Sequence, residues 1–392
     1  MAKHFALIGL GLLTGLTNEA LAQKSNVNGS NINTITTAVP FLRISPDARS
    51  GAMGDIGLAI SPDANAQYWN VAKMPFTPKK FGVSFTYTPW LKDLVPDIWL
   101  GYVSGYMKFG QNDEQAISAS LRYFSLGDIS FTNDVGDATG TGKPREFAFD
   151  AGYSRKLSEN LSVGLSLRYI RSALAVGYSG NSDVKPGNAF AADLGVYYTK
   201  NKEIDEFRSD NFSFGAVLSN VGSKISYTST RRDFIPINLG LGVAYTKSLD
   251  EYNKVTIGLD FNKLLVPTPK DTSSTGTPKY YIPEKSVVSG MLGSFADAPF
   301  SEELREIQIS VGAEYWYQNQ FALRAGYFYE DRTKGDRKYL TVGLGVKLNV
   351  FTLNGAYLIP SGSGINRNPL SNTFRFSLLF DFNEFKKSDS GD

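Results

Sequence analysis

Cysteine is absent from the 392-residue chain, and histidine occurs once, at His4. No disulfide framework and no thiol nucleophile are therefore available. Charge of one sign is not in excess either: 40 basic residues face 38 acidic ones, a formal net charge of +2. A nucleic-acid partner would call for a basic face, so nucleic acid is excluded as the expected partner. Long apolar runs are also missing. Past the first residues, no stretch approaches the ~20 apolar residues of a transmembrane helix.

The first residues explain that exception and remove the histidine. "MAKHFALIGLGLLTGLTNEALAQ" opens with Lys3, runs uncharged and apolar from Phe5 to Leu16, and ends in Ala20-Leu21-Ala22. This is the pattern of a secretory signal peptide, residues 1–22, with cleavage after Ala22 and Gln23 as the new terminus. As a membrane anchor the run is too short, and without a cysteine the protein is not a lipoprotein. Cleavage removes Lys3, His4 and Glu19, leaving 39 basic against 37 acidic residues and no histidine. Ser-His-Asp and Cys-His catalysis and the usual zinc sites are thereby excluded. No enzyme, cofactor or metal site is expected. An exported chain without disulfides must be held together some other way.

What is present in quantity is alternation. In "LSVGLSLRYI", Leu161, Val163, Leu165, Leu167 and Tyr169 share one face, and Ser162, Gly164, Ser166 and Arg168 the other. "FALRAGYFY" and "TFRFSLLFDF" repeat the pattern, which has the period of a strand. The large residues form whole rows, while the opposite rows are Gly, Ser and lone charges. That is the signature of an outer-membrane barrel with an apolar face toward lipid and a polar lumen. About fourteen such segments begin near Phe81, Ile98, Ala116, Arg145, Leu161, Ala189, Phe212, Ile237, Lys254, Gln308, Gln320, Lys338, Phe351 and Thr373. Links alternate between long and short, as external loops and periplasmic turns should; only Lys200–Asn211 is long for a turn. The reading is all-β: a 14-stranded antiparallel transmembrane barrel over 81–382, closed so that no strand edge is left unpaired. Residues 23–80 form an N-terminal periplasmic or plug segment, 263–306 a long external loop, and 383–392 a polar tail. Within the loop, "KSVVSGMLGSF" and the helix start at Ser301 suggest short helices.

Candidate residues follow from the register. Arg168, Asp260, Glu314, Arg324, Arg375 and Asp381 point to the lumen, as a structural charge network or a selectivity lining. Gly136–Pro144 imitates a phosphate loop, but Asp137 and Pro144 break the spacing, so it reads as a flexible loop. Trp90, Leu91 and Leu94 form an apolar cluster in the first external loop. Two readings stand: girdle residues at the membrane interface, or a docking patch.

One stretch, "SPDARSGAMGDIGLAISPDANAQYWNVAKM" (Ser45–Met74), has neither period. Its Ala52-Met53-Gly54-Asp55, Asp63 and Tyr68-Trp69-Asn70-Val71-Ala72 resemble the segment before the first strand in FadL-like barrels, with Val71 where proline is usual. The resemblance implies that it folds back into the barrel as a plug or hatch, with Trp69 wedged against the wall. The longer stretch from Ala38 to Met74 is similar to the PorV (LptO) family of the Bacteroidetes type IX secretion system. That implies a non-enzymatic protein of a Gram-negative outer membrane. It further implies binding of cargo C-terminal signal domains at a large translocon barrel and delivery to a sortase attachment complex that joins cargo to lipopolysaccharide. Outer-membrane lipid would surround it. Candidate partner contacts are Trp90, Leu91 and Leu94, with Tyr280, Tyr281, Met291, Leu292 and Phe295 of the long loop. The competing reading is a FadL-like transporter of hydrophobic small molecules, which needs an apolar tunnel.

Overall fold

A computed structural model of the chain describes residues 33–90, 97–132, 135–174, 185–229, 231–271, 280–281, 283–360 and 373–383. The signal peptide, Leu91, Leu94 and all of the tail but its first residue lie outside the described residues.

Fourteen antiparallel strands close into one barrel, each beside its neighbour in sequence. They are β1 (Phe81–Pro89), β2 (Ile98–Phe109), β3 (Gln115–Leu126), β4 (Arg145–Lys156), β5 (Leu161–Ala173), β6 (Gly187–Glu203) and β7 (Ser209–Gly222). Then come β8 (Asn238–Ser248), β9 (Asn253–Leu264), β10 (Ile307–Tyr317), β11 (Phe321–Tyr329), β12 (Lys338–Leu348), β13 (Phe351–Pro360) and β14 (Phe374–Phe382). Closure runs from Phe81 opposite Phe382 to Tyr87 opposite Phe376. Every wall strand thus has two partners, which explains how a disulfide-free chain keeps its backbone polar groups satisfied in lipid.

The alternation sets the two faces. On β5, Val163, Leu165 and Leu167 are exposed outward, while Ser162, Ser166 and Arg168 are buried inside. Strand starts fall within three residues of the periodicity-based positions. The largest shift is at β7, and it removes the one irregular link. The polar ends of β6 and β7 continue their ladder beyond the apolar band, with Asn201 opposite Asn211 and Glu203 opposite Ser209. Only Ile204–Arg208 remain as the turn. The loop carrying Gly136–Pro144 is also more regular than expected: Ala138–Gly142 pairs with Ile129–Thr132 as a small external hairpin.

Residues 33–80 thread the barrel from its external end. Asn33 N donates to Thr333 O at 3.0 Å, and its Nδ2 to Pro269 O at 2.8 Å and Glu302 Oε1 at 3.0 Å. Ala38 N donates to Phe234 O at 2.9 Å. All these acceptors lie in external loops. At the opposite end Lys108 Nζ donates to Thr77 O at 2.8 Å, just before β1. Residues 33–44 therefore lie among the long loops, at the barrel end the sequence reading takes as external, whereas that reading assigns all of 23–80 to the periplasm or the plug.

The external third of the lumen departs from a polar interior. Inward-facing Leu100, Phe124, Ile170 and Ile237 pack there with Val39, Phe41, Ile235 and Val266 in one apolar cluster. The sequence signal is lost alternation: Ile98-Trp99-Leu100 and Leu264-Leu265-Val266 are continuous apolar runs. Trp90 belongs to this cluster and is buried, with its N bonded to Ile98 O at 2.9 Å. It is neither a girdle residue nor an exposed docking residue, because the strand end turns it inward over the barrel mouth.

Candidate functional site

The site has two parts: a latched segment inside the barrel and a cap on its external mouth. The latch begins at Gly54, whose φ is +71°. A Cβ there would lie 2.6 Å from Tyr327 N and 2.8 Å from Val311 O, so only glycine combines this backbone shape with this approach to the wall. Gly54 N donates to Thr341 Oγ1 at 2.8 Å. Met53 is fully buried against Gly312 and Gly326, two wall positions without side chains.

Short helices carry the rest. Asp47 caps α1 (Ala48–Gly51), accepting from Ser50 N at 2.8 Å. Its other oxygen accepts from Trp69 Nε1 at 2.7 Å, at the end of α2 (Ala66–Trp69). Trp69 thus bonds within the segment, and its ring stands edge-on to Tyr68 at 4.8 Å. Asn70 Nδ2 donates to Val196 O at 3.0 Å, and its Oδ1 accepts from Ala72 N at 3.1 Å.

Charges join the segment to the wall. Arg49 donates to both oxygens of Glu314, at 3.0 and 2.8 Å, and to Asp63 at 3.2 Å. Arg324 Nε donates to the same Glu314 at 2.7 Å. Asp260 accepts from Gly57 N and Leu58 N at 2.7 and 3.0 Å. Arg375 pairs with Asp55 at 3.3 Å, and Tyr339 Oη donates to Asp55 at 2.6 Å. Arg168 stands between wall residues, bonded to Asp150, Asn220 and Asp193, the last at 2.9 Å. Asp381 is half-buried opposite Gly82. Five of the six lumen-facing candidates are thus buried in hydrogen-bonded networks, three of them holding the segment directly.

Sequence reasoning missed Arg49 and Arg122. Arg122 is fully buried, donates to Leu42 O at 2.9 Å and lies 4.4 Å over the Tyr68 ring. Its inward register on β3 was a usable signal; its partner in the threaded segment was not. Between segment and wall a recess of about 110 Å³ remains, lined by Arg43, Asp55, Arg168, Asp193 and Arg337 among others.

The cap is built from α3 (Val287–Gly293), with Ser286 as its N-cap, and α4 (Phe300–Arg305). Lys263 Nζ pairs with Glu303 at 2.8 Å and Glu306 at 2.5 Å. Lys334 Nζ reaches Glu302 at 2.6 Å and Glu306 at 3.1 Å. Glu330 accepts two bonds from Arg337, at 2.7 and 2.9 Å. Burial pushes the Glu330 carboxyl up, but the Arg337 guanidinium outweighs it and holds it below the usual range. On this tied platform Val288, Leu292, Phe295, Phe300 and Leu304 stay exposed, Phe300 at 78%. Met291 is half-buried against the apolar cluster. Tyr280 and Tyr281 pair through their backbones with Lys270–Asp271.

No curated protein matches the chain significantly. Among solved structures, the toluene transporter TbuX of Ralstonia pickettii is 11% identical, with a TM-score of 0.46, over 90% of this chain and 99% of that one. The toluene transporter TodX of P. putida is 12% identical, TM-score 0.49, over 86% and 99%. A Pseudomonas aeruginosa FadL homologue is 10% identical, TM-score 0.45, over 89% and 99%. The model of one family, described as type IX secretion system protein PorV, matches residues 27–271. With that match across most of its length, on an outer-membrane barrel, the chain belongs to the PorV family of type IX secretion components.

Proposed function

We propose that this outer-membrane protein acts without catalysis, binding the C-terminal signal domain of secreted cargo at its external face. It receives cargo beside the large translocon barrel and delivers it to the surface attachment complex. The carrying observation is the cap: an apolar patch of Val288, Leu292, Phe300 and Leu304 on helices tied down by buried ion pairs. Exposed apolar groups on a rigid support suit a docking surface. The filled lumen supports the same reading. A transporter of hydrophobic solutes needs an apolar passage, whereas here latched residues and charges occupy the middle of the barrel. The plug motif of Met53, Gly54, Asp55, Asp63, Tyr68, Trp69 and Asn70 then serves to keep the barrel shut.

The test is a gentle-detergent pull-down of the tagged full-length protein from its native membrane, read by mass spectrometry. The expected result is recovery of a very large barrel, a sortase-like protein and cargo sharing a C-terminal domain. A Leu292→Asp/Phe300→Asp variant should lose at least the cargo, by about tenfold or more for two exposed residues that docking would bury, while keeping the heat-modifiable gel shift of a folded barrel. Unchanged cargo recovery by the variant would overturn the assignment of the patch. Recovery of the barrel alone with a hydrophobic ligand would favour transport.

A further inference from the structure

On the external rim above β5–β7 a cleft of about 470 Å³ is lined by Lys185, Asn188, Lys224, Ser226, Thr228 and Arg232 among others. No carboxylate among the described residues lines it. Among the described residues Lys185, Lys224 and Arg232 form no ion pair, while neighbouring Arg231 is taken by Asp233 at 2.8 Å. The Lys224 ammonium lies 4.2 Å over the Phe234 ring. A second cleft of about 610 Å³ adjoins it through Lys224, Tyr227 and Arg232, and its own lining adds Glu284 and the paired Arg231 and Asp233. Within the first cleft, three cations and several hydroxyls with no described anion among them form an incomplete electrostatic group. Tetrahedral oxyanions complete such groups best, because their oxygens take several charge-assisted bonds at once.

The floor of the cleft faces lipid. Asn188 is exposed on the outward row of β6, two residues from Phe190, itself 67% exposed. Tyr169 Oη donates to Asn188 Oδ1 at 2.7 Å, and Arg171 Nη1 approaches the same oxygen at 3.3 Å. The Tyr169 and Phe190 rings lie 5.2 Å apart in the aromatic girdle. An acyl region therefore lies directly below and a cationic region directly above, the layout of an amphiphile with an anionic head.

We propose that this cleft binds a phosphate monoester, presented by the headgroup of a phosphorylated glycolipid of the outer leaflet. An acidic peptide would match the charge, but it has no use for the girdle contact beneath. Free phosphate would match the cleft and likewise ignore Phe190.

The test uses the full-length protein in detergent, with lipid retention read by native mass spectrometry. The probes are bisphosphorylated lipid A, the same lipid A after phosphatase treatment, inorganic phosphate, and an acidic peptide. The expected result is retention of the phosphorylated lipid over the dephosphorylated one. Neutralising Lys185→Gln, Lys224→Gln and Arg232→Gln together should lower that retention by about a hundredfold, at about fivefold per cation. Lys200→Gln/Lys202→Gln, at the periplasmic end of β6, should leave it unchanged. Arg232→Gln alone, an exposed change, tests the site should the triple variant fold poorly. Phe190→Ser should weaken lipid retention and leave inorganic phosphate unaffected. Equal retention of the two lipids, or an unchanged triple variant, would overturn the site. Binding of phosphate or peptide that depends on the three cations, without preference between the lipids, would overturn the lipid as its source.

Discussion

Gly54 shows how much can hang on one residue in this molecule. Its left-handed backbone and its approach to Tyr327 and Val311 leave no room for a side chain. Gly54→Val should therefore cost the docked segment roughly 3 kcal/mol, from backbone strain and overpacking together. The barrel should still fold, while limited proteolysis cuts newly at Arg43 or Arg49. Protection equal to that of the unaltered protein would show that the segment does not depend on this contact. The buried pairs around Glu314 follow a different logic. Removing one member leaves an unpaired charge, whereas the intact set adds little net stability over apolar packing. Their value lies in fixing one position of the segment along the lumen. The stretch around Met53–Asp55 stood out in the sequence through its small residues and broken period, and its plug motif through the resemblance to FadL-like barrels. Arg49 and Arg122 were not, because a threaded segment has no pairing register from which partners could be read.

At the scale of elements, the cap is an ionic clamp. It joins the loop after β9, the β11–β12 loop and Asn33 through Glu302, Glu306, Lys334 and Lys263. The Glu330 carboxyl is held below its ordinary range, and so is Glu302, where bonds from Lys334 outweigh the cost of burial. A depressed carboxyl contributes stability that is complete above the unfolded value, about 4.3, and is lost as pH falls through the folded value. Protection factors across 283–306 and 330–337, taken against the intrinsic exchange rate at each pH, should thus be high at pH 7 and lower at about pH 3, with the strands protected at both. Equal protection of the cap at the two values would mean that the ion pairs do not hold it. The helices themselves were partly legible: Ser286 and the acidic turn at Glu302–Glu303 are local signals. What they rest on, the apolar cluster around Phe234 and Val266, joins residues far apart in sequence.

For the whole molecule the direction of threading matters most. The described chain starts among external loops and reaches the periplasmic end only at Thr77–Lys80. An exported chain arrives from the periplasmic side, so residues 33–44 must pass outward as the barrel closes around them. Because the chain has no cysteine, a single introduced one reports its own location. Thr36→Cys should react with a membrane-impermeant maleimide on intact cells. Gln320→Cys, in a periplasmic turn, should react only after the outer membrane is opened. The reverse pattern would refute the threading.

By itself the sequence determined the strand count and which residues of each strand face lipid or lumen. Period-two alternation is a local property, and the strands keep it wherever the lumen is polar. Only tertiary structure decided where the aperiodic segment runs, that Trp90 is buried, and that the external third of the lumen is apolar. It also decided which wall charges meet Arg49, Asp55 and Gly57. Those contacts lie across the interior of the barrel, where hydrogen-bonded pairing sets no rule and only packing and charge select the partner.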